Sequence, residues 1–204
     1  METRANIRMK TLFLVALFLT LPALVSAETI SFDDLVERND LYYKKFSDVP
    51  FTGKVDGRIQ GIIKRGKRQG LWLEYHENGQ LRRKENYKDG KLHGLAEKYH
   101  ENGQLESKGN YNDGKLHGLT EWYYKNGQLE AKANYKDGKR HGLVEVYREN
   151  GQLWWKENYK DGLEHGLYEW YYKNGQLAEK GNYKGGKVIS RTCFSDSGEQ
   201  KSCD

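Results

Sequence analysis

The stretch GLAEKYHENGQLESKGNYNDGKLH, Gly94 to His117, decides the fold. It returns in register from Gly70, Gly118, Gly142 and Gly166, always 24 residues on, as G-L-x-E-x-Y-x-x-N-G-Q-L-x-x-K-x-N-Y-K-D-G-K-x-H. A fixed period of this length marks an array in which each unit is one supersecondary element. Each unit carries two turn signals. Asn-Gly, at Asn78, Asn102, Asn126, Asn150 and Asn174, is the strongest short hairpin signal because both residues tolerate positive φ. Asp-Gly, ending at Gly90, Gly114, Gly138 and Gly162, is the second, and the fifth unit has Gly185-Gly186 there. The runs between, such as LTEWYY (Leu119–Tyr124) and LEAKANY (Leu129–Tyr135), are aromatic-rich and too short for ordinary helices. They read as strands, two per unit, and tight turns make consecutive strands antiparallel.

Two registers are open. A two-residue turn at Asn-Gly sets Glu97 opposite Lys108. A three-residue loop ending in a glycine bulge sets Tyr99 opposite Leu105, and places Leu95, Tyr99, Leu105 and Tyr111 on one face. The second is preferred, because a one-residue slip sends a whole apolar set to the wrong side. A lone hairpin is marginal in water, so stacked neighbours must bury that Leu/Tyr stripe and satisfy the strand edges. The expected fold is all-β: an elongated single-layer antiparallel sheet of stacked hairpins, with units 70–93, 94–117, 118–141, 142–165 and 166–187.

Both ends need caps. Residues 28–69 read as an N-terminal module with a short helix around SFDDLVER (Ser31–Arg38), then strands at LYYKKF, FTGKV and GIIKRG. Residues 188–204 read as a decayed half-unit. There Phe194 takes the tyrosine role, SDSG (Ser195–Gly198) takes the turn, and Cys193 pairs with Cys203 to lock the last edge.

Ahead of these lies a basic segment with Arg4, Arg8 and Lys10, an apolar run too short to span a bilayer, and Val25 and Ala27 at small-residue positions. It reads as a secretory signal peptide, residues 1–27, with no Cys after the cut to carry a lipid. The expected location is periplasmic or secreted, with no transmembrane segment in the mature chain. Without the leader the formal net charge falls from +5 to +3, well mixed along the chain, which gives no case for nucleic acid. Few Ile, Val and Phe are available for a compact core, yet Trp and Tyr are too regular for a disordered chain.

The Y-x-x-N-G-Q-L and Y-x-D-G-x-x-x-G elements resemble the bacterial MORN-repeat variant. LYYKKFSDVPFTGKV (Leu41–Val55), with PFTG at Pro50–Gly53, is similar to the module that precedes such repeats. The resemblance covers nearly all of the chain after residue 27. It implies hairpin arrays that bind proteins or lipids. Many relatives carry a toxin–antitoxin label, because some are immunity partners of polymorphic toxins.

Candidate chemistry follows the period. His93, His117, His141 and His165 recur two strands apart, about 9.6 Å, too far to share a metal ion. Asp89, Asp113, Asp137 and Asp161 suit turn formation better than calcium. The Lys84, Lys108, Lys132, Lys156 and Lys180 ladder runs beside Glu97, Glu121, Glu145 and Glu169, which suits cross-strand pairing. Ser107 is the one serine of the units, so no nucleophile recurs beside a base, and no catalytic, cofactor or metal site is expected. The variable positions carry more: Trp72, Trp122, Tyr124, Trp154, Trp155, Tyr168, Trp170 and Tyr172 stand where the period demands no aromatic. They are read either as a contact surface or as mutual cover for one face of the sheet. The expected function is a non-enzymatic exported scaffold that binds another protein. The alternatives are binding of envelope lipid head groups or glycan, and neutralisation of a toxin partner.

Overall fold

The computed structural model describes residues 28–203; the signal peptide expected at residues 1–27 lies outside them. The strands are β1 (Thr29–Ser31), β2 (Leu35–Arg38), β3 (Leu41–Lys44), β4 (Gly53–Asp56), β5 (Ile59–Lys64) and β6 (Lys67–Tyr75). They continue as β7 (Leu81–Lys88), β8 (Lys91–Tyr99), β9 (Leu105–Asn112), β10 (Lys115–Tyr123), β11 (Leu129–Lys136) and β12 (Lys139–Tyr147). The last are β13 (Leu153–Lys160), β14 (Leu163–Tyr171), β15 (Leu177–Lys184), β16 (Lys187–Phe194) and β17 (Gln200–Lys201). Fifteen of them form one sheet in the order β1-β4-β5 and then sequentially to β17. All neighbours are antiparallel except β1, which lies parallel to β4. At ordinary strand spacing the ribbon is on the order of 70 Å long.

Both turns have their chemistry written in the unit. At Asn-Gly, Gly79 N–H donates to His76 O at 3.0 Å and His76 N–H to Gln80 O at 2.8 Å, which closes a three-residue loop. Asn78 Oδ1 accepts from Gln80 N–H at 3.0 Å, and Gly79 has φ +84°, where a side chain would be strained. The Asp-Gly turn is the two-residue kind with both residues left-handed, as at Asp89 (φ 51°) and Gly90 (φ 84°). Asparagine does a second job: Asn78 Nδ2 donates to Glu101 O of the next unit at 2.8 Å, and Asn102 to Lys125 O at 2.9 Å. The turns are therefore tied to one another along one edge of the ribbon.

Both candidate registers occur in each hairpin. Tyr99 pairs with Leu105, and Glu97 pairs with Lys108, because the ladder shifts between Lys98 and Tyr99. Glu106 is the extra residue. It corrects the expected stripe: Leu95, Tyr99 and Leu105 share a face, which we call the back, but Tyr111 follows the extra residue and turns to the other face, the front. The back face carries the invariant Leu, Glu, Lys and Asn positions, and the leucine that opens each unit, Leu71, Leu95, Leu119, Leu143 or Leu167, is 36–48% exposed. Stacking therefore does not bury them. The front face carries the second tyrosine of each unit and the variable positions, and it is the buried one: Thr120, Ala133, Val144, Glu157, Tyr159 and Tyr168 lie there.

The N-terminal module departs from the expected single layer. Ser31 caps only a short 3₁₀ turn, Phe32–Asp34, and the rest of the expected helix is β2. Asn39 and Asp40 (φ 51° and 60°) form a tight turn right after it and recruit Leu35–Arg38 into a hairpin with β3. That hairpin is a second layer over the front face. Leu35, Phe51, Val55, Ile63 and Trp72 form one buried cluster there. Arg68 pins the layers: its guanidinium lies 4.5 Å from the Trp72 ring centroid, 5.2 Å from Phe32 and Tyr87, and 5.5 Å from Tyr42. Its head donates to the hydroxyls of Tyr87 and Tyr42, each at 3.2 Å.

The C-terminal half-unit forms as its sequence suggests. Gly198 N–H donates to Ser195 O at 3.0 Å and Ser195 N–H to Glu199 O at 2.8 Å, repeating the Asn-Gly loop. Phe194 stands where the other units have tyrosine, with Lys180 Nζ 5.6 Å from its ring centroid. Cys193 and Cys203 are disulfide-bonded.

Candidate functional site

One row of side chains crosses the front face strand by strand. It runs from Glu74 through Arg83, Lys98 and Ser107 to Trp122, then Ala131, Val146, Trp155, Trp170 and Glu179, each opposite the next. In its first half the charged residues are held by the neighbouring bulge residues, with Arg82–Glu74 at 2.7 Å and Lys98–Glu106 at 2.5 Å. From Trp122 to Trp170 it is apolar, and Glu179 closes it. Trp122 and Trp155 pack over the buried Ala133 and Val144, so these rings are partly cover for the sheet.

Beyond them the cover becomes a surface. Trp155 and Trp170 stack with centroids 5.7 Å apart and planes at 21°. Trp154, the bulge residue of its hairpin, meets Trp170 edge-on at 6.3 Å and 88°. Trp154 and Trp170 remain 41% and 40% exposed. The Arg148 guanidinium lies 5.1 Å from the Trp154 ring and is held there by donating to Tyr171 O at 2.9 Å. Next to Trp170 on the same strand face, buried Tyr168 donates to Glu179 Oε1 at 2.6 Å, and its ring lies 4.8 Å from Tyr183.

The eight aromatics singled out in the sequence thus divide. Trp154, Trp155 and Trp170 come together; Trp122 stands in the same row three strands away. Trp72 (2% exposed) lies under the N-terminal hairpin, and Tyr168 (1%) lies over Gly181 between Glu179 and Tyr183, so neither can meet a partner. Tyr124 and Tyr172 are ties: their hydroxyls donate to Tyr147 O and Phe194 O, each at 2.8 Å. His76 and His100 place Nε2 on Tyr99 O and Tyr123 O in the same way, at 3.0 and 3.1 Å, and Arg148 completes the series. Sequence reasoning missed this position because the residue type varies. The signal was the shared chemistry, a long polar side chain one residue after each first tyrosine. Arg148 was missed with it.

Titration follows burial. Burial, with Glu85 and Glu157 beside them, pushes the Tyr87 and Tyr159 hydroxyls up to about 12. Burial also raises the Glu157 carboxyl, opposed by the hydrogen bond from Tyr159. The other ladders pair locally. Lys84–Glu97, Lys108–Glu121, Lys132–Glu145 and Lys156–Glu169 lie at 2.6–2.9 Å. His93, His117 and His141 face the turn aspartate of the next unit at 3.7, 3.6 and 3.3 Å. Among the described residues no group of three or more His, Cys, Asp or Glu could hold a metal ion, and no helix is long and apolar enough to cross a membrane.

A family model described as the MORN repeat variant matches residues 68–89, 92–113, 116–137, 140–161 and 164–184, together more than half of the chain. No curated protein matches significantly. Solved structures show weak likeness. The crystal structure of accessory secretory proteins 1, 2 and 3 of Streptococcus pneumoniae shares 18% identity over 60% of this chain and 22% of that one, at TM-score 0.30. A mutant of S. aureus TarM, crystallised with Fondaparinux, alpha-GlcNAc-glycerol and UDP, shares 11% over 56% of this chain and 21% of that one, at TM-score 0.28. This chain thus spans about a fifth of those chains, and the superpositions are too poor to carry an argument.

Proposed function

Since the chain belongs to the MORN repeat variant family, whose repeats are associated with scaffolds that bind proteins or membrane lipids, we propose that it is a non-enzymatic exported scaffold that binds another protein. The observation that carries this reading is the platform of Trp154, Trp155 and Trp170, with Arg148 at its edge. Exposed tryptophan at a site that also carries arginine is the composition of an interface hot spot. A partner engaging it lays apolar side chains on the tryptophans and polar ones on the charged half of the row. Export is supported by the leader-like first 27 residues and by the disulfide, which persists in oxidising compartments. Against an enzymatic role stands the periodic local pairing of the acid and base groups.

The test is affinity capture from envelope extracts, with the captured protein identified and rebound in pure form. Changing Trp122, Trp154 and Trp170 together to Ala is expected to weaken rebinding by at least about 2 kcal/mol with the strand signal unchanged. Unchanged rebinding removes the platform from the function. Co-sedimentation with lipid vesicles or peptidoglycan, lost in the same variant, moves the function to the envelope instead.

A further inference from the structure

The back face is a periodic surface, and its pattern is its own complement. We infer that it pairs with the back face of a second copy of this chain. Three columns run along it, each alternating from strand to strand: Leu with Asn, as at Leu119 and Asn134; Glu with Lys, as at Glu121 and Lys132; and Tyr with Leu, as at Tyr123 and Leu129. The leucines of the first column are 36–48% exposed, more than the tyrosines and leucines of the third. Asn86 and Asn158 between them are tied down, donating Nδ2 to Leu95 O and Leu167 O, each at 2.9 Å. Each column of leucines thus has gaps of about 9.6 Å, two strand spacings, centred over asparagine.

Consider a two-fold axis parallel to the strands and midway between β10 and β11, the middle of the ten repeat strands. It keeps every column over itself and sets odd strands over even ones. Leucine then enters the gap above asparagine, glutamate faces lysine, and tyrosine faces leucine. All three columns become complementary at one offset. Because sheets twist, contact is closest at the axis and opens toward the ends. A membrane fits the pattern less well. Every lysine from Lys84 to Lys156 in its column already holds a glutamate at 2.6–2.9 Å, which leaves little net charge to attract anionic head groups. The pairing leaves both tryptophan platforms facing outward, so the dimer is bivalent.

The axis makes a specific cross-link. β9 faces β12 of the second copy, so Asn110 approaches its Leu143. Within one chain these residues are three strands apart, about 14 Å, beyond disulfide reach. Packed sheets lie about 10 Å apart, so the facing thiols of N110C/L143C need a bridge, and a thiol-bridging reagent too short to reach about 14 Å within one chain is expected to give a covalent dimer. Sedimentation equilibrium of the full chain is expected to show a dimer that W170A keeps. L119D/L143D, with strand signal intact, should self-associate at least about a hundredfold more weakly, since it buries uncompensated carboxylates. A parent that stays monomeric at its highest soluble concentration overturns the inference. So does a dimer that survives L119D/L143D and gives no N110C/L143C cross-link, or a monomer that sediments with vesicles through these leucines. Loss of partner capture without loss of the dimer counts against the front-face reading alone.

Discussion

Gly127 has φ +84°, in the region where a β-branched side chain is strained, and its N–H closes the loop by donating to Tyr124 O at 2.9 Å. Lys125, two residues before, contributes only its backbone carbonyl to the fold, as acceptor for Asn102 Nδ2 at 2.9 Å. Gly127→Val is therefore expected to cost about 1–2 kcal/mol and Lys125→Ala close to nothing. Thermal unfolding of the two variants checks the difference, and hydrogen exchange checks its locality. Protection should fall in β10 and β11 first, because each unit touches only its neighbours. Equal small effects would count against the loop as built. The Asn-Gly loop was legible because its chemistry is local. The tie one residue after the first tyrosine was not, because His76, Tyr124 and Arg148 share only a reach and a donor.

At the scale of the element, the 24-residue unit is nearly interchangeable. Its incoming and outgoing contacts are the same two ties, the same charge pair and the same ladder, repeated at β8–β9 and β10–β11. Removing residues 118–141 joins His117 to Gly142, a junction the chain already makes with Gly118. The expected product is a folded, shorter sheet with cooperative unfolding and a modestly lower melting temperature, read by circular dichroism. Collapse to an unfolded chain would show that the units are not independent modules. The N-terminal module is different in kind. Its hairpin, Phe32 and Arg68 cover Trp72 and Tyr87, so it has no substitute elsewhere in the chain. The expected helix there failed because Asn39-Asp40 closes a turn that only a strand at Leu35–Arg38 can serve.

The whole sheet buries one face with tyrosine, and this sets its response to alkali. Tyr87 and Tyr159 ionise at about 12 when folded, against 10.0 for an ordinary tyrosine. The unfolded chain therefore loses these protons first, and stability falls as pH rises from about 10 to about 12. The loss is roughly 2 kcal/mol for each at the top of that range. Melting temperature followed against pH, with tyrosinate absorbance read in parallel, measures both halves of the linkage. Tyrosines that all titrate near 10 while the fold persists would contradict the burial described for the front face.

The sequence by itself determined the period, the two turns of every unit, the strands between them, and the half-unit closed by Cys193 and Cys203. These depend on positive-φ residues and short apolar runs, and five copies multiply each local signal. Only the tertiary structure decided which face is which. Glu106 and its equivalents add one residue to a strand, and one residue reverses every side chain beyond it. That parity sends the leucines outward and the second tyrosines inward. It also decides that Trp72 is core, that Tyr124 is a tie, and that Trp154, Trp155 and Trp170 meet at the surface. No local pattern contains that choice, because the cost of an inserted residue is set by the strand it pairs with.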